Sequence, residues 1–507
     1  MSLPNTQRRA SGLLLHITSL PGPFGIGDLG PAAHDVVAKL GRGGQSFWQM
    51  LPVGPTGFGN SPYQSSSTFA GNPWLISPDV LVDQGLVEVK ERDAIVVAEG
   101  RVDYDVVSRN KRQLLRRAAE RFATRASSEQ QQRYAEFCDR KGSIWLDDYS
   151  LYAALKEHQT GRPWNRWDPD LARRDQTALD RARTELASEV DAEKVIQFLF
   201  FDQWPPLRET AHEHGVGLVG DLPLYVAHDS ADVWANPGLF QLDERGEPTV
   251  VAGVPPDYFS TIGQRWGNPI FDWEELASLR FRWWRSRVVE ALELFDRLRL
   301  DHFRGIAGYW AIPADEPTAE HGRWVSGPGA ELLQAVADEV GDLPLIAEDL
   351  GLITDDVVAI RETFGLPGMR IAQFGFDRVS DTALHHPDNY PEHVWAYTGT
   401  HDNDTTRGWF WESNPKHRLW KLRRPRRILY RRVGGRIPWG LVEMVAGSRA
   451  MTAMFPVQDI LGLGSDARMN TPGTTSGNWE WRLRSDQLSD ESLHDLRGLT
   501  LATGRAS

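Results

Sequence analysis

The stretch Asp301-His302-Phe303-Arg304-Gly305 closes the run Leu298-Arg299-Leu300, and the two together read as a β-strand ending in a carboxylate. Side chains at i and i+2 of a strand share a face, so Arg299 and Asp301 should project together. A guanidinium beside a carboxylate keeps it ionised near neutral pH, which a nucleophile requires. Two similar strand ends come later in the chain: Leu345-Ile346-Ala347 leads into Glu348-Asp349, and Val394-Trp395-Ala396-Tyr397 leads into Thr400-His401-Asp402-Asn403. Singly, each has a bland reading. Asp301 fits a turn, Glu348-Asp349 a solvated loop, and His401-Asp402 a structural pair. Three successive acid-bearing strand ends, separated by helical stretches, match what a glycosidase-type barrel needs.

The elements that must hold these acids alternate along the chain. A first strand is expected over Gly12 to Ile17, then a Pro/Gly loop, a helix from Ala32 to Leu40 and a second strand from Ser46 to Leu51. Strand character returns at Val216 to Asp221 and again near Leu298, Leu345, Met369, Val394 and Thr452. The intervening helices have their own signals. Ala330 to Val340 carries apolar residues at helical spacing before Gly341, and Thr354 is placed to N-cap a helix whose first turn holds Asp355 and Asp356. This is the grammar of a parallel α/β protein. From Ser77 to Phe201 the pattern is helical and charge-rich, which predicts an insertion at 77–201 within one catalytic barrel spanning 1–507.

Composition narrows the function. The net charge of −13 and a pI near 5.6 disfavour nucleic acid or an anionic membrane as partner, leaving a neutral substrate. Cys138 is the only cysteine, so no intrachain disulfide forms, and its charged surroundings suggest a thiol packed on a helix. No signal-peptide core or membrane-length apolar run is present, which predicts a cytoplasmic protein. The acids and histidines lack metal-ligand spacing and no phosphate-cradling glycine loop occurs, so neither metal nor cofactor is expected. Twenty tryptophans suit a glycan cleft, although any single one is better read as core. Lys416 to Arg436 holds ten Lys or Arg and no acid, which reads as a solvated helical face.

Two further motifs complete the picture: Gly253-Val254-Pro255-Pro256-Asp257-Tyr258-Phe259-Ser260, and Asn470-Thr471-Pro472-Gly473 followed by Gly477-Asn478-Trp479. With these in place the chain closely resembles the amylomaltases, or 4-α-glucanotransferases, relatives of the α-amylases, from about Gly12 to Trp481. The resemblance implies a (β/α)8 TIM barrel with helical insertions and no C-terminal β-sandwich. It implies transfer of α-1,4-glucan segments between maltooligosaccharide donors and acceptors, glucose included, with retention. Carried over by motif, Asp301 would be the nucleophile, Glu348 the general acid/base and Asp402 the stabiliser of the oxocarbenium-like transition state. Arg299 would hold Asp301. His401 and Asp221 would line the donor subsite, Tyr63 of the Ser-Pro-Tyr-Gln motif would sit on the acceptor side, and Asn470 would join the substrate-binding set. Asp257, Tyr258 and Phe259 would belong to a mobile loop, 253–260, covering the cleft. Phe271 stands where relatives are expected to have a tyrosine, which predicts one missing subsite hydrogen bond.

Retention by double displacement needs two carboxyl groups roughly 5–5.5 Å apart, one ionised and one protonated. Glu348 therefore needs a dry setting or a neighbouring carboxylate. On residues alone Asp349 rivals it, because a strand buried on both faces shows no phase; only the resemblance favours Glu348. Two other functions share these features: a hydrolytic α-glucanase on the same barrel, and a non-catalytic glycan-binding protein, against which the intact three acids argue.

Overall fold

The computed structural model describes residues 8–256, 260–377, 382–412 and 424–506. Eight parallel strands close into a barrel: β1 (Ala10–Leu14), β2 (Phe47–Gln49), β3 (Gly217–Leu222), β6 (Arg297–Leu300), β9 (Leu345–Ala347), β10 (Gly368–Ile371), β11 (Val394–Tyr397) and β12 (Thr452–Pro456). They are ordered β1-β12-β11-β10-β9-β6-β3-β2, with β2 returning to β1. Neighbours in this ring are neighbours in sequence, as right-handed strand–helix–strand crossovers dictate. All eight expected strands are present. The first is shifted, ending at Leu14 and not Ile17, because the chain beyond His16 turns into a 3-10 helix.

Every barrel strand is almost wholly buried, as expected of a parallel sheet covered by helices outside and filled by side chains within. Alternate residues form the filling: Ala10, Phe47, Val219, Ile346, Met369, Ile371, Trp395, Tyr397 and Met454 make one apolar cluster. The period of two then sets the facing of the residues at each strand end. Asp221 is two residues beyond Val219, and Glu348 two beyond Ile346, so both continue the inward stripe at the rim.

Four more strands form a separate antiparallel sheet ordered β5-β4-β7-β8: β4 (Val250–Val254), β5 (Gln264–Pro269), β7 (Gly308–Pro313) and β8 (Arg323–Ser326). The first two lie between β3 and β6 in the chain, the others between β6 and β9, so the sheet is built from loops at the rim that bears the acids. The final element is a helix, Asp490–Ala502, and among the described residues no β-sandwich follows the barrel.

Between β2 and β3 the chain forms helices, among them Tyr104–Arg125, Ser128–Lys141, Asp147–His158 and Ala187–Glu213. The last continues past Phe201, with Trp204 donating its indole N–H to the carbonyl of Leu294 at 2.8 Å. A buried ion pair ties this layer to the first barrel loop. Lys111, 1% exposed, donates to Asp28 Oδ2 at 3.2 Å and to the carbonyls of Trp74 and Ile76 at 2.7 and 3.0 Å. Removing one partner of such a pair strands the other charge in a dry site. Lys111→Met is therefore expected to cost about 3–5 kcal/mol, measured as an earlier urea transition; a loss below about 1 kcal/mol would mean that apolar packing alone docks the layer.

Several local expectations shift. Thr354 occupies the N-cap position of the helix Asp355–Thr363, yet its hydroxyl accepts no bond from the first turn; it bonds Asp356 instead. Where it is described, the basic stretch forms the helix Arg424–Arg432 and then a turn. Its cations are not simply solvated: Arg426 lies over the Trp409 ring and pairs with Asp377, Arg432 pairs with Asp388, and Arg436 with Glu443. The acids absent from the stretch itself come from other parts of the chain. Cys138 is half-buried on the helix Ser128–Lys141.

Candidate active site

The inward stripe delivers its polar groups to the carboxyl ends of β3, β6 and β9. Arg299, 4% exposed, donates Nη2 to Asp301 Oδ1 and Nη1 to Asp221 Oδ2, each at 2.5 Å. One buried guanidinium thus fixes two carboxylates from adjacent strands, the planar fork suiting both at once. Burial pushes the Asp221 carboxyl up, against the opposing pull of Arg299. Asp221 Oδ1 has no protein partner among the described residues.

Glu348 is stitched to the end of β6. Its backbone N–H donates to Leu300 O at 3.1 Å, and its carbonyl accepts from Phe303 N–H at 3.1 Å. Its side chain accepts from the N–H of His302 at 2.8 Å and of Leu350 at 3.1 Å. His302 has φ of 51°, in the left-handed region, in the turn that carries the first of these donors. Burial, then the charge of Asp301, push the Glu348 carboxyl well above the ordinary glutamate range, with Arg299 opposing. Asp301 is the wetter of the two, its side chain 28% exposed against 9% for the Glu348 residue.

Glu348 and Asp349 have different surroundings. Asp349 Oδ1 accepts the N–H of Met369 at 2.7 Å, and its carboxyl pairs with Arg370 and with Arg361 of the helix Asp355–Thr363. It faces the helical layer while Glu348 faces the barrel axis.

Asp402 stands on the loop after β11 with its side chain 46% exposed. Asn470 donates to its Oδ1 at 2.6 Å, His401 Nε2 lies 3.3 Å from its Oδ2, and Arg468 donates to its backbone carbonyl at 2.7 Å. Tyr63 packs beside Asp221 and His401. Its hydroxyl donates to Asp221 at 2.8 Å and its ring stacks on His401, centroids 5.2 Å apart. Burial, reinforced by Asp221, holds the Tyr63 hydroxyl protonated.

Phe271 is also placed otherwise. It is fully buried in a cluster with Tyr225, Phe240, Trp273, Trp283 and Trp284, so no hydroxyl is missing from a cleft there. Asp257, Tyr258 and Phe259 lie outside the described residues; the strands flanking them end at Val254 and resume at Gln264.

Three contributors escape a reading of the sequence. His302 has a buried Nε2 without a protein partner among the described residues and meets Trp266 edge to face at 4.8 Å. His16 is buried beside His401, and burial followed by that neighbour lowers its pKa to about 3. Arg468 holds Asp402 from 66 residues away. Among the described residues no group of acids, histidines or cysteines is arranged to hold a metal, and no helix is long and apolar enough to cross a membrane.

Comparison with known proteins gives a consistent picture. A family model described as 4-alpha-glucanotransferase matches residues 15–488. The chain is 48% identical to the 4-alpha-glucanotransferase of Thermus thermophilus over 100% of each chain, and 47% identical to that of Synechocystis over 98% of each. Among solved structures it is similar to an amylomaltase from Streptococcus agalactiae in complex with acarbose, with a TM-score of 0.92 and 36% identity, covering 99% of this chain and 100% of that one.

Proposed function

The chain belongs to the 4-alpha-glucanotransferase family, and from that premise we propose that its rim acids move α-1,4-glucan segments from donor to acceptor chains by double displacement. The Asp301 carboxylate attacks the anomeric carbon of the donor, the glycosidic C–O bond breaks, and Glu348 protonates the departing oxygen. An acceptor hydroxyl then attacks the glycosyl–Asp301 ester, Glu348 takes its proton, and Asp301 is released. Asp402, oriented by Asn470 and His401, binds sugar hydroxyls as positive charge develops at the anomeric carbon. Arg299 holds Asp301 and Asp221 in place, and Asp221, Tyr63 and His401 line the cleft around the donor ring.

The observation that carries this reading is the contrasting environment of the two carboxyls. Asp301 is paired to a guanidinium and partly open to the cleft. Glu348, held against it by His302, is buried beside a negative charge. Environments that separate two carboxyls in this way assign nucleophile and acid. Asp349, paired with two arginines on the helical side, takes no part. Donor and acceptor are maltooligosaccharides or longer α-1,4-glucans, with glucose as the smallest acceptor.

The test is incubation with maltotriose and chromatography of the products. Transfer gives glucose and a ladder of longer maltooligosaccharides; glucose and maltose alone would make the protein a hydrolase.

The loop 253–260 is proposed to favour sugar over water at the ester. Tyr258 and Phe259 are apolar enough to exclude water and flat enough to stack on glucose. Replacing both with alanine is expected to lower the transfer-to-hydrolysis ratio about tenfold, a shift of roughly 1–2 kcal/mol in partition. Released glucose and new reducing ends at fixed maltotriose measure it. A slower enzyme with the wild-type ratio would show that water is excluded elsewhere.

A further inference from the structure

Among the described tryptophans, Trp324 alone is strongly exposed, at 40%, and it stands on β8, the edge of the four-stranded sheet. The others are buried or half-buried, so a large indole left in water at a strand edge is the exception in this chain.

Its setting is rigid. The guanidinium of Arg304 lies 3.9 Å from the ring centroid, and Trp310, directly opposite on β7, meets it edge to face at 5.3 Å. Arg304 is itself 7% exposed and is anchored by donating to the carbonyls of Leu352 and Gly308. The guanidinium covers one face of the indole, and 40% of the residue stays open to solvent. Trp310 is held in turn by an indole N–H bond to Ala319 O at 2.9 Å. An aromatic ring clamped this way loses little conformational freedom when a ligand stacks on it.

The platform is continuous with the cleft. Arg304 lies three residues after Asp301, and its partner Leu352 lies on the loop that leaves Glu348, where its side chain is exposed. On the other side, the N–H of Ala319 donates to Ile262 O at 3.1 Å, joining the sheet to the segment between β4 and β5; Ile262 is exposed too. Ile262 and Leu352 are thus exposed apolar residues on the two segments that bond to the sheet and to Arg304.

We propose that Trp324 is a remote glucan subsite: a glucose unit several residues from the scissile bond stacks its C–H face on the indole, extending the cleft for long chains. This rests on the glucanotransferase reading of the central site. A sugar fits better than a protein partner, because a single indole bordered by charged residues falls far short of the area a stable protein interface buries, about 1,000 Å² or more. A pyranose ring presents an apolar face of the size of one indole and hydroxyls around its edge.

The experiment compares wild type, Trp324→Ala and Trp324→Phe on maltotriose and on long-chain amylose. Maltotriose, with three rings, can occupy far fewer positions along the cleft than amylose. The ratio of KM for amylose to KM for maltotriose is expected to rise about tenfold in the alanine variant and to return most of the way in the phenylalanine variant. Migration through a native gel containing glycogen should be retarded less for the alanine variant than for wild type. An unchanged ratio, an equal rise in both KM values, or an earlier unfolding transition as the only effect would overturn the proposal and leave Trp324 as cover for Arg304. A wild-type enzyme that disproportionates neither substrate would instead overturn the reading of the central site.

Discussion

Asp301→Asn is expected to lower transfer from maltotriose by on the order of 10⁴-fold, with the fold and glucan affinity retained. The amide cannot form a glycosyl ester, so the two-step route is closed at its first step. At about 1.4 kcal/mol per tenfold, the loss corresponds to roughly 5–6 kcal/mol of transition-state stabilisation. The structural damage should be small, because Arg299 keeps its bond to Asp221 and an asparagine carbonyl can still accept from its second nitrogen. Initial rates on purified protein, together with an unchanged unfolding transition, make the measurement. Activity within about tenfold of wild type would remove Asp301 as nucleophile, and the Arg299 pairing would then be a structural clamp.

Glu348→Gln is expected to cost about 10²–10⁴-fold on maltooligosaccharides, the usual worth of a positioned general acid. An α-glucosyl fluoride, whose leaving group departs with little protonation, should react much more nearly as with wild type. With deglycosylation still short of its base, a covalent adduct on Asp301 is expected to accumulate and to be visible by mass spectrometry. The pH dependence should separate the two donors as well. Burial and Asp301 raise the Glu348 pKa, so the group stays protonated to higher pH than an ordinary glutamate. Transfer from maltooligosaccharides by wild type should fall as pH rises through that ionisation, and the variant's attack on the fluoride should lack that limb. Glutamine also turns one of the two oxygens that accept from His302 and Leu350 into an NH2, so some misplacement is expected. Misplacement would slow both donors alike. Equal losses with no adduct would therefore overturn the acid role.

The largest features of this protein are legible locally. All eight barrel strands, the alternation with helices and the position of each acid at a strand end come from short-range patterns: apolar runs, caps, Pro/Gly punctuation. The pairing of Arg299 with Asp301 needs only the two-residue period of a strand. Resemblance across ordered motifs then supplies the family.

Hidden from the sequence is everything that depends on which way a buried strand faces and on what arrives from elsewhere. Glu348 and Asp349 are indistinguishable in a strand apolar on both sides. They separate only when Arg361 and Arg370 claim one and His302 and Leu350 the other. The motif around Tyr63 gives no sign of its neighbours, because Asp221 and His401 lie 158 and 338 positions away along the chain. Phe271 looks like a subsite residue and is core, since burial is a property of the packed molecule. The one strongly exposed tryptophan among those described cannot be picked out from composition. A strand's chemistry is written in its own few residues; its phase, its neighbours and its dryness are set by the closure of the barrel around it.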